Sequence, residues 1–322
     1  MTWPLAVGLA LVVLAAAWWA VDRTVAWLSR RAILDRPNDR SSHTVPTPRG
    51  GGIGLVAVLL PAWAAVALVD GGPAWRWVAL AGAALLAAVS WRDDRASLPA
   101  RLRLAAQFAA VIPAALLLPG PVLQGWAPPW LDLAVAVLAW VWFTNLYNFM
   151  DGIDGITGVE TVAIGLGIAL VAALPGDGAL GLALASAGLA FLAWNWHPAR
   201  VFLGDVGSVP IGYLLGGLLL ALAAEGRWAP ALILPLYYLA DATLTLGRRL
   251  LRGVPVWQAH REHLYQRAVQ RGLRHDAVAL RIAIADVALI ACAVWSLAMP
   301  FAALAVAALV AAALMASLAR GR

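Results

Sequence analysis

The chain has 322 residues, of which 63% are hydrophobic and only 12% are charged. A soluble domain is nearer about 45–50% apolar and about 25% charged, so this composition excludes a soluble protein and indicates an integral membrane protein. All 23 basic residues are arginine, and the formal net charge is +6. The single cysteine, Cys292, excludes a disulfide framework and lies in an apolar run, where an ordinary packing role is expected.

Eleven apolar runs approach or reach the roughly 17–25 residues that cross a bilayer. In chain order they cover residues 3–21, 51–69, 75–90, 104–119, 130–147, 157–174, 179–195, 209–224, 229–246, 277–298 and 301–319. Several of them are short, so ten and eleven spans are both compatible with the sequence. The predicted fold class is therefore all-α, a polytopic membrane protein with a single domain over residues 1–322.

The loops between these runs alternate in charge. Of the 23 arginines, all but Arg76 and Arg227 lie in one alternating set of loops, which comprises residues 22–50, 91–103, 196–208, 247–281 and 320–322. Arginine is enriched in cytoplasmic loops, so the N-terminus is predicted outside, and the long loops and the C-terminus in the cytoplasm. Arginines placed in this way indicate topology and do not suggest nucleic-acid binding.

Tryptophans mark several ends of the apolar runs. The 17 tryptophans include the pairs Trp75 with Trp77 and Trp194 with Trp196. Because tryptophan is enriched where a bilayer meets water, we expect these side chains to be lipid anchors.

A polar segment at residues 145–158 separates two strongly apolar runs. On one continuous helix its regularly spaced polar groups would not share a narrow face, since each step of three residues turns a side chain by about 60°. Gly152 and Gly155 predict a helix break that would bring the last carboxylate back beside the other three groups. The alternative is that the two carboxylates only cap a membrane helix. The four groups, one at every third position, are Asn145, Asn148, Asp151 and Asp154.

Two further predicted cytoplasmic loops carry carboxylates. Asp93 and Asp94 open the loop 91–103, and Asp205 lies in the glycine-rich turn 204–208. Carboxylates that gather at one membrane surface repel each other unless a cation lies among them. Hard oxygen ligands favour Mg²⁺, with Mn²⁺ as the alternative, and such sites are typical of phosphoryl transfer. We therefore expect chemistry on phosphates at the cytoplasmic face.

Histidine and glycine residues could contribute to the same chemistry. His260 and His263 lie three residues apart, which is not the four-residue spacing of a helical zinc protease site. A solvated loop pair is the alternative for them. The glycines at 50–52 could let backbone N–H groups approach an anion, or could only start a closely packed helix.

These motifs occur together in an order that resembles the polyprenyl-phosphate N-acetylhexosamine-1-phosphate transferases. The resemblance covers residues from about 35 to 265, and the first loop is closest to the O-antigen and cell-wall-polymer branch. The last loop lacks the run of histidines expected of a muropeptide transferase. Arg95-Ala96-Ser97 follows the aspartate pair, so no third carboxylate is carried over there. The motifs are Asp35 to Gly52, Asp93-Asp94, Asn-Leu-Tyr-Asn-Phe-Met-Asp-Gly-Ile-Asp-Gly at 145–155, Gly204-Asp-Val-Gly-Ser208 and His260-Arg-Glu-His263.

The resemblance implies a reaction in a bacterial plasma membrane. UDP-N-acetylhexosamine and undecaprenyl phosphate would give undecaprenyl-pyrophosphoryl sugar and UMP, as the first membrane step of O-antigen or cell-wall polysaccharide synthesis. The expected partners are these two substrates, the lipid bilayer and Mg²⁺, with no nucleic acid. Neither the sugar nor a homodimer is decided by these residues.

The resemblance also implies roles for the acidic residues. Asp205 is the expected direct metal ligand, and Asp94 and Asp151 belong to the same metal and phosphate site. Asp93 would deprotonate or position the lipid phosphate. These assignments follow from matching positions in the motifs.

Further residues are expected to contact the substrates. Asp154 and Phe202 match positions that would contact the uracil. The residues expected to shape the pocket or to hold phosphate and sugar oxygens are Asn145, Asn148, Arg49, His260, Arg261 and His263.

Two other functional classes are alternatives to this one. A secondary transporter could use membrane carboxylates to bind Na⁺ or protons, but its carboxylates would lie near the bilayer midplane. An inactive scaffold for polymer assembly would not need all of these motif positions to be filled. An assay of sugar-phosphate transfer distinguishes both from an enzyme.

Overall fold

The computed structural model describes residues 1–35, 37, 45–254 and 260–320, and it is 76% helical. Two stretches of interest lie outside the described residues. They are positions 36 and 38–44 of the first motif and positions 255–259 of the last loop. A two-stranded antiparallel ribbon, β1 (Leu34–Asp35) with β2 (Thr47–Pro48), follows the first helix. The helices are α1 (Trp3–Arg30), α2 (Gly52–Val69), α3 (Ala74–Ala96), α4 (Ala100–Ala115), α5 (Pro129–Phe149), α6 (Ile156–Val171), α7 (Pro175–Asn195), α8 (Asp205–Ala224), α9 (Trp228–Ile233), α10 (Leu236–Leu251), α11 (Leu264–Gln270), α12 (His275–Trp295) and α13 (Pro300–Arg320).

The helices confirm the predicted all-α polytopic class. All eleven apolar runs overlap with helices, and eight of the described helices are long and apolar enough to cross a membrane. Helices α4 and α6 are shorter, with 16 residues each. The run 229–246 is divided between α9 and α10 at Pro235, which has no N–H for the helical hydrogen bond.

Helix α8 forms the centre of the bundle. Its apolar window is 94% buried, whereas those of α1 and α13 are only 28% buried and lie at the periphery. Helices α2, α3 and α5 pack against α8. The contact with α2 is very close, because a Cβ atom on Gly52 would lie 2.2 Å from Cα of Gly207. Small residues at helix contacts allow such approach in membrane proteins.

The polar residues gather at two ends of the bundle. We call the end where α3 and α5 finish and α8 begins the acidic end. At the opposite end the N-terminal amino group lies 2.9 Å from Asp70, and Arg76 lies 2.8 Å from both Asp70 and Asp177. Arg76 is buried, so this arginine, one of two in the opposite set of loops, ties α3 to α7.

Tryptophan positions correct one expectation. Trp77 and Trp196 are each 39% exposed, which fits a place at the protein surface. Trp75 is fully buried and packs edge-on against Trp63, so it belongs to the core and is not a lipid anchor. Cys292 is also buried, in agreement with the packing role expected of it.

Candidate active site

Two predicted site aspartates meet at the guanidinium of a third predicted site residue, Arg49, at the acidic end. Nη2 of Arg49 lies 3.0 Å from Oδ1 of Asp94 and 2.9 Å from Oδ1 of Asp205. The two aspartate side chains are 4% and 18% exposed, and that of Arg49 is 38% exposed. A shared guanidinium offsets part of the repulsion between the carboxylates. The fold therefore joins the loop before α2, the end of α3 and the start of α8.

Asp94 also caps the central helix. Its Oδ1 accepts the backbone N–H of Asp205 at 3.1 Å, and its Oδ2 accepts that of Val206 at 2.9 Å. The first N–H groups of a helix have no partner inside it and carry partial positive charge, so a carboxylate is stabilised there. Gly204, with φ of +74°, supplies the turn into the helix. This cap fixes Asp94 beside Asp205.

Asp93 has a partner on each oxygen. Its Oδ1 accepts the backbone N–H of Leu98 at 2.5 Å, and its Oδ2 accepts from Nη1 of Arg103 at 3.0 Å. The same Nη1 lies 3.9 Å from Oδ2 of Asp205. Both oxygens of Asp93 are thus occupied by donors, and one of these donors, Arg103, also approaches Asp205. Of the two roles expected for Asp93, the contacts favour positioning.

The glycines at 50–52 do not present their N–H groups to an anion. Gly50 and Gly51 donate to the carbonyl of Phe202 at 3.1 and 2.9 Å, and Gly52 donates to the carbonyl of Leu203 at 2.9 Å. The expectation of N–H groups open to an anion is therefore wrong, and the alternative of a closely packed helix start is confirmed. The pairing also sets Arg49 alongside Phe202.

The helix break predicted in the central segment is present between α5 and α6, and Gly155 takes a φ of +81° there. At the end of α5, Nδ2 of Asn148 donates to Oγ of Ser208 at 2.8 Å, which ties the segment to α8. One turn earlier, Asn145 and Gln107 exchange hydrogen bonds of 2.6 and 3.2 Å. Both asparagines thus hold helices together at the acidic end.

Asp151 follows the end of α5. Its Oδ1 accepts a hydrogen bond from Oγ1 of Thr157 at 2.6 Å. Burial raises the pKa of Asp151 to about 6, despite this hydrogen bond, and the charges of Asp205 and Asp94 act in the same direction. The charges of Asp205, Arg49 and Asp94 all act on Asp151, and we call these four residues the acidic group.

Asp154 has different partners. Its Oδ2 lies 2.7 Å from Nδ1 of His197 and 3.3 Å from Nδ1 of His275, and it accepts the N–H of Ala199 at 3.2 Å. Although burial acts to raise it, the pKa of Asp154 is lowered by these histidine contacts. The helix break therefore directs this carboxylate towards α7 and α12, instead of folding it back beside Asn145, Asn148 and Asp151.

Residues 260–263, which we call the histidine loop, pack against the end of α5 through His263 and the adjoining Tyr265. His263 is 2% exposed, its Nδ1 lies 3.6 Å from Oδ1 of Asp241, and its ring stacks on Tyr265. The hydroxyl of Tyr265 donates to the carbonyl of Phe149 at 3.0 Å. These contacts bring the loop next to the segment that carries Asp151.

His260 and Arg261 are half-buried in the same loop. The His260 ring centre lies 4.9 Å from that of His263. Burial, reinforced by the charges of His263 and Arg249, lowers the pKa of His260 to about 4. At neutral pH its imidazole is therefore uncharged and can donate one N–H to a substrate oxygen.

Several residues that complete this arrangement were not predicted. Arg103 could have been suspected, since it follows the aspartate pair by ten positions in an arginine-rich loop. Ser208 ends the glycine-rich motif at 204–208, in which only the aspartate was expected to act. The others lie outside the recognised motifs and far along the chain from their partners, where no local signal marks them. Besides Arg103, the residues not predicted are Gln107, His197, Ser208, Asp241 and His275.

The donor set at the acidic end fits a hard divalent cation. Asp94 and Asp205 contribute two carboxylates in direct contact with the guanidinium of Arg49, and Asp151 is a third carboxyl group on which their charges act. Oδ2 of Asp205 lies 3.9 Å from Nη1 of Arg103, which is beyond hydrogen-bond distance, and the Asp205 side chain is 18% exposed to solvent. Mg²⁺ typically binds through one or two carboxylates and completes its shell with substrate phosphates and water.

Comparisons with known proteins agree with the motifs. Residues 76–223 match the model of glycosyl transferase family 4. The chain is 30% identical to a decaprenyl-phosphate N-acetylglucosaminephosphotransferase of Mycobacterium tuberculosis, over 85% of this chain and 79% of that one. It is 28% identical to a Bacillus subtilis protein named as a probable undecaprenyl-phosphate N-acetylglucosaminyl 1-phosphate transferase, over 75% and 71%. It is 35% identical to the phospho-N-acetylmuramoyl-pentapeptide-transferase of Moorella thermoacetica, over 41% and 44%.

Proposed function

The chain belongs to glycosyl transferase family 4 and is a polyprenyl-phosphate sugar-1-phosphate transferase, and we propose that it acts on undecaprenyl phosphate with a UDP-N-acetylhexosamine as donor. The products are undecaprenyl-pyrophosphoryl N-acetylhexosamine and UMP. The observation that carries the proposal is the group of Asp94, Asp205 and Arg49 at the N-terminus of α8, where phosphates and a divalent cation can meet.

The reaction exchanges one phosphorus–oxygen bond for another. An oxygen of the lipid phosphate attacks the sugar-linked phosphorus of the UDP-sugar, and the bond from that phosphorus to the bridging oxygen breaks. The bridging oxygen leaves with UMP. A phosphate monoester is largely ionised at neutral pH, so the attacking oxygen does not need a protein base. This agrees with the positioning role that the contacts of Asp93 favour.

Mg²⁺, held by Asp205 with Asp94 and Asp151, would neutralise charge on the pyrophosphate as the bond to UMP breaks. Arg49 and Arg103, with side chains 38% and 42% exposed, are placed to donate hydrogen bonds to phosphate oxygens. Asp93 holds Arg103 in place for this contact.

The remaining predicted residues have proposed roles in binding. Asp154 and Phe202 contact the uracil, and the histidine loop contacts phosphate or sugar oxygens. Asn145 and Asn148 shape the pocket by fixing α5 against its neighbours. The acidic end faces the cytoplasm, where the nucleotide sugar is available, and the lipid phosphate enters from the inner leaflet of a bacterial plasma membrane. The product feeds O-antigen or cell-wall polysaccharide synthesis.

The test is an assay of purified protein with undecaprenyl phosphate and Mg²⁺. UDP-linked N-acetylglucosamine, N-acetylgalactosamine, N-acetylquinovosamine and N-acetylfucosamine are supplied one at a time, and UMP and the lipid product are measured by mass spectrometry. We expect UMP release that needs both the lipid and the metal, for at least one of these sugars. Folded protein that releases no UMP with any of the four donors contradicts the proposed donor class.

A further inference from the structure

A second group of potential metal ligands lies beside the acidic group. Asp154 precedes α6, His197 follows α7, and His275 is the first residue of α12. One ligand atom from each residue lies within 4.8 Å of the other two. Asp154 and His275 are buried, and the His197 side chain is 29% exposed. Three separate parts of the chain thus converge on one point.

The hydrogen bonding at His275 points to a cation at this position. The backbone N–H of Asp154 donates to Nδ1 of His275 in a long hydrogen bond of 3.3 Å, which places the ring proton on Nε2 and leaves on Nδ1 the one lone pair that a metal ion would take over from this N–H. The same nitrogen lies 3.3 Å from Oδ2 of Asp154, which also carries lone pairs. Two acceptor atoms that face each other repel unless a proton or a metal ion lies with them.

The donor types and one of the two distances fit a transition metal. Zinc ligands at about 2.0–2.1 Å from the metal lie about 3.3 Å apart in a tetrahedron. Oδ2 of Asp154 lies at this distance from Nδ1 of His275, whereas its separation of 2.7 Å from Nδ1 of His197 is a hydrogen-bond distance that must lengthen when a metal ion binds. Imidazole nitrogen suits Zn²⁺ better than Mg²⁺, which prefers oxygen. We propose that Asp154, His197 and His275 bind a divalent transition-metal ion, best matched by Zn²⁺, with the fourth ligand position open on the His197 side.

Neighbouring hydrogen bonds hold the three ligands in place. Oδ1 of Asn195 accepts the N–H of Gly155, and its Nδ2 donates to the carbonyl of Val201, each at 2.9 Å. Ala199 donates its N–H to the ligating oxygen of Asp154. Such outer contacts orient metal ligands. Because Oδ2 is the atom that faces both histidines, Oδ1 of Asp154 stays available for a substrate contact.

The ion joins the segment 151–155 to α7 and α12. Asp151 lies only three residues before Asp154, so the metal stabilises the segment that supplies a carboxylate to the acidic group. This site is distinct from the proposed Mg²⁺ site in both donor type and partners. The inference does not depend on which sugar is transferred.

The test is metal binding by the full-length protein in detergent. The protein is stripped with a chelator and titrated with Co²⁺ in the presence of excess Mg²⁺, which occupies the carboxylate site. We expect about one equivalent of Co²⁺ to bind, with the strong visible absorption of a tetrahedral nitrogen-containing site, and Zn²⁺ to displace it. Wild-type protein that binds neither ion saturably would overturn the proposal, and the cluster would then hold only a proton.

Variants identify the ligands. His197→Gln and His275→Gln are expected to weaken Co²⁺ binding by more than about tenfold, whereas His260→Gln, which removes a histidine from the other loop, leaves binding unchanged. His197→Cys provides a gain of signal, because a thiolate ligand adds a sulfur-to-cobalt charge-transfer band even if the glutamine variants fold poorly. Unchanged affinity in both glutamine variants, or no such band in a His197→Cys protein that binds Co²⁺, contradicts the assignment.

Discussion

Arg49 is the residue on which the acidic group depends. It lies between the carboxylates of Asp94 and Asp205, which approach each other because the fold brings α3 to the start of α8. Each aspartate needs a partner, because burial makes an unpaired charge costly. Asp94 is paired with Arg49 and with two N–H groups of α8. Asp205 is paired with Arg49 and, at a longer distance, with Arg103. These contacts leave room on Asp205 for a cation.

Asp151 predicts how metal binding responds to pH. Its raised pKa of about 6 means that the carboxyl is protonated below that pH and ionised above it. Burial also raises the pKa of Asp94, the neighbouring proposed ligand, to about 6. Because a protonated carboxyl competes poorly for Mg²⁺, the Mg²⁺ concentration for half-maximal activity should rise at least about tenfold per pH unit below pH 6. The measurement is an Mg²⁺ titration of UMP release between pH 5 and 8. The same Mg²⁺ requirement at pH 5 and pH 7 would remove Asp151 from the cation site.

Individual residues differ in how far sequence reasoning could place them. Asp93, Asp94, Asp151 and Asp205 carry a recognisable motif, so their types and order were predictable. The partners of Asp154 were not, because His197 and His275 lie 43 and 121 positions away and only the packing of α7 and α12 brings them together.

At the scale of the helices, α8 organises the site because other helices approach it closely. The start of α2 passes directly beside α8, where the N–H groups of residues 50–52 bond to the carbonyls of residues 202 and 203. A run of glycines is compatible with an anion-binding loop or with close packing, and only the acceptors of its N–H groups decide between the two. Those acceptors, the carbonyls of residues 202 and 203, lie about 150 residues further along the chain.

Gly52→Ala should destabilise the protein strongly. The added methyl group would lie 2.2 Å from Cα of Gly207, and a backbone contact of that kind cannot relax without moving a helix. We expect a loss of about 1–3 kcal/mol or more in the free energy of unfolding. The matched control is Gly8→Ala on α1, which adds a methyl group with no atom within 4 Å and should be neutral or stabilising. Equal unfolding temperatures for the two variants would contradict the packing.

Helices α6 and α12 contain a buried acidic pair with no evident catalytic use. Glu160 and Asp286 are 0% and 2% exposed, and none of their four carboxylate oxygens has a hydrogen-bond partner among the described residues. Burying unpaired carboxyl groups is unfavourable. These two residues therefore reduce the stability of the membrane core.

Glu160→Met should raise the free energy of unfolding by about 1 kcal/mol or more, because it replaces an unpaired buried carboxyl group by an apolar side chain of similar volume. Thermal unfolding in detergent measures this change, and Glu225→Met, on an exposed residue, serves as the control. A clear loss of stability in Glu160→Met alone would mean that the pair makes a favourable interaction, such as with a bound cation.

The helices themselves were largely predictable, because long apolar runs have few alternatives in a membrane. All eleven runs overlap with helices, and the glycines at 152 and 155 correctly predict the break between α5 and α6. The burial of Trp75 was missed because it depends on neighbouring helices, and the division at Pro235 was missed because hydropathy does not register the absent N–H of a proline.

The whole molecule has two ends of different character. The acidic end collects four predicted cytoplasmic loops, and the opposite end holds short loops with the ion pairs of Arg76. Single cysteines, introduced after Cys292→Ser, test the predicted orientation. A membrane-impermeant maleimide applied to intact spheroplasts should label Glu225→Cys and should not label Ser97→Cys until the membrane is opened. The reverse labelling would invert the topology.

The central claim is that the acidic end is a cation-dependent transferase site with Asp205 as a metal ligand. The most direct measurement is the Mg²⁺ dependence of UMP release by wild type and Asp205→Asn, with Glu225→Gln as a control that removes a carboxylate at the opposite end. We predict that Asp205→Asn stays folded in detergent but loses Mg²⁺-dependent turnover by at least about a hundredfold, while Glu225→Gln keeps the wild-type rate. A wild-type rate and Mg²⁺ requirement in Asp205→Asn would contradict the account.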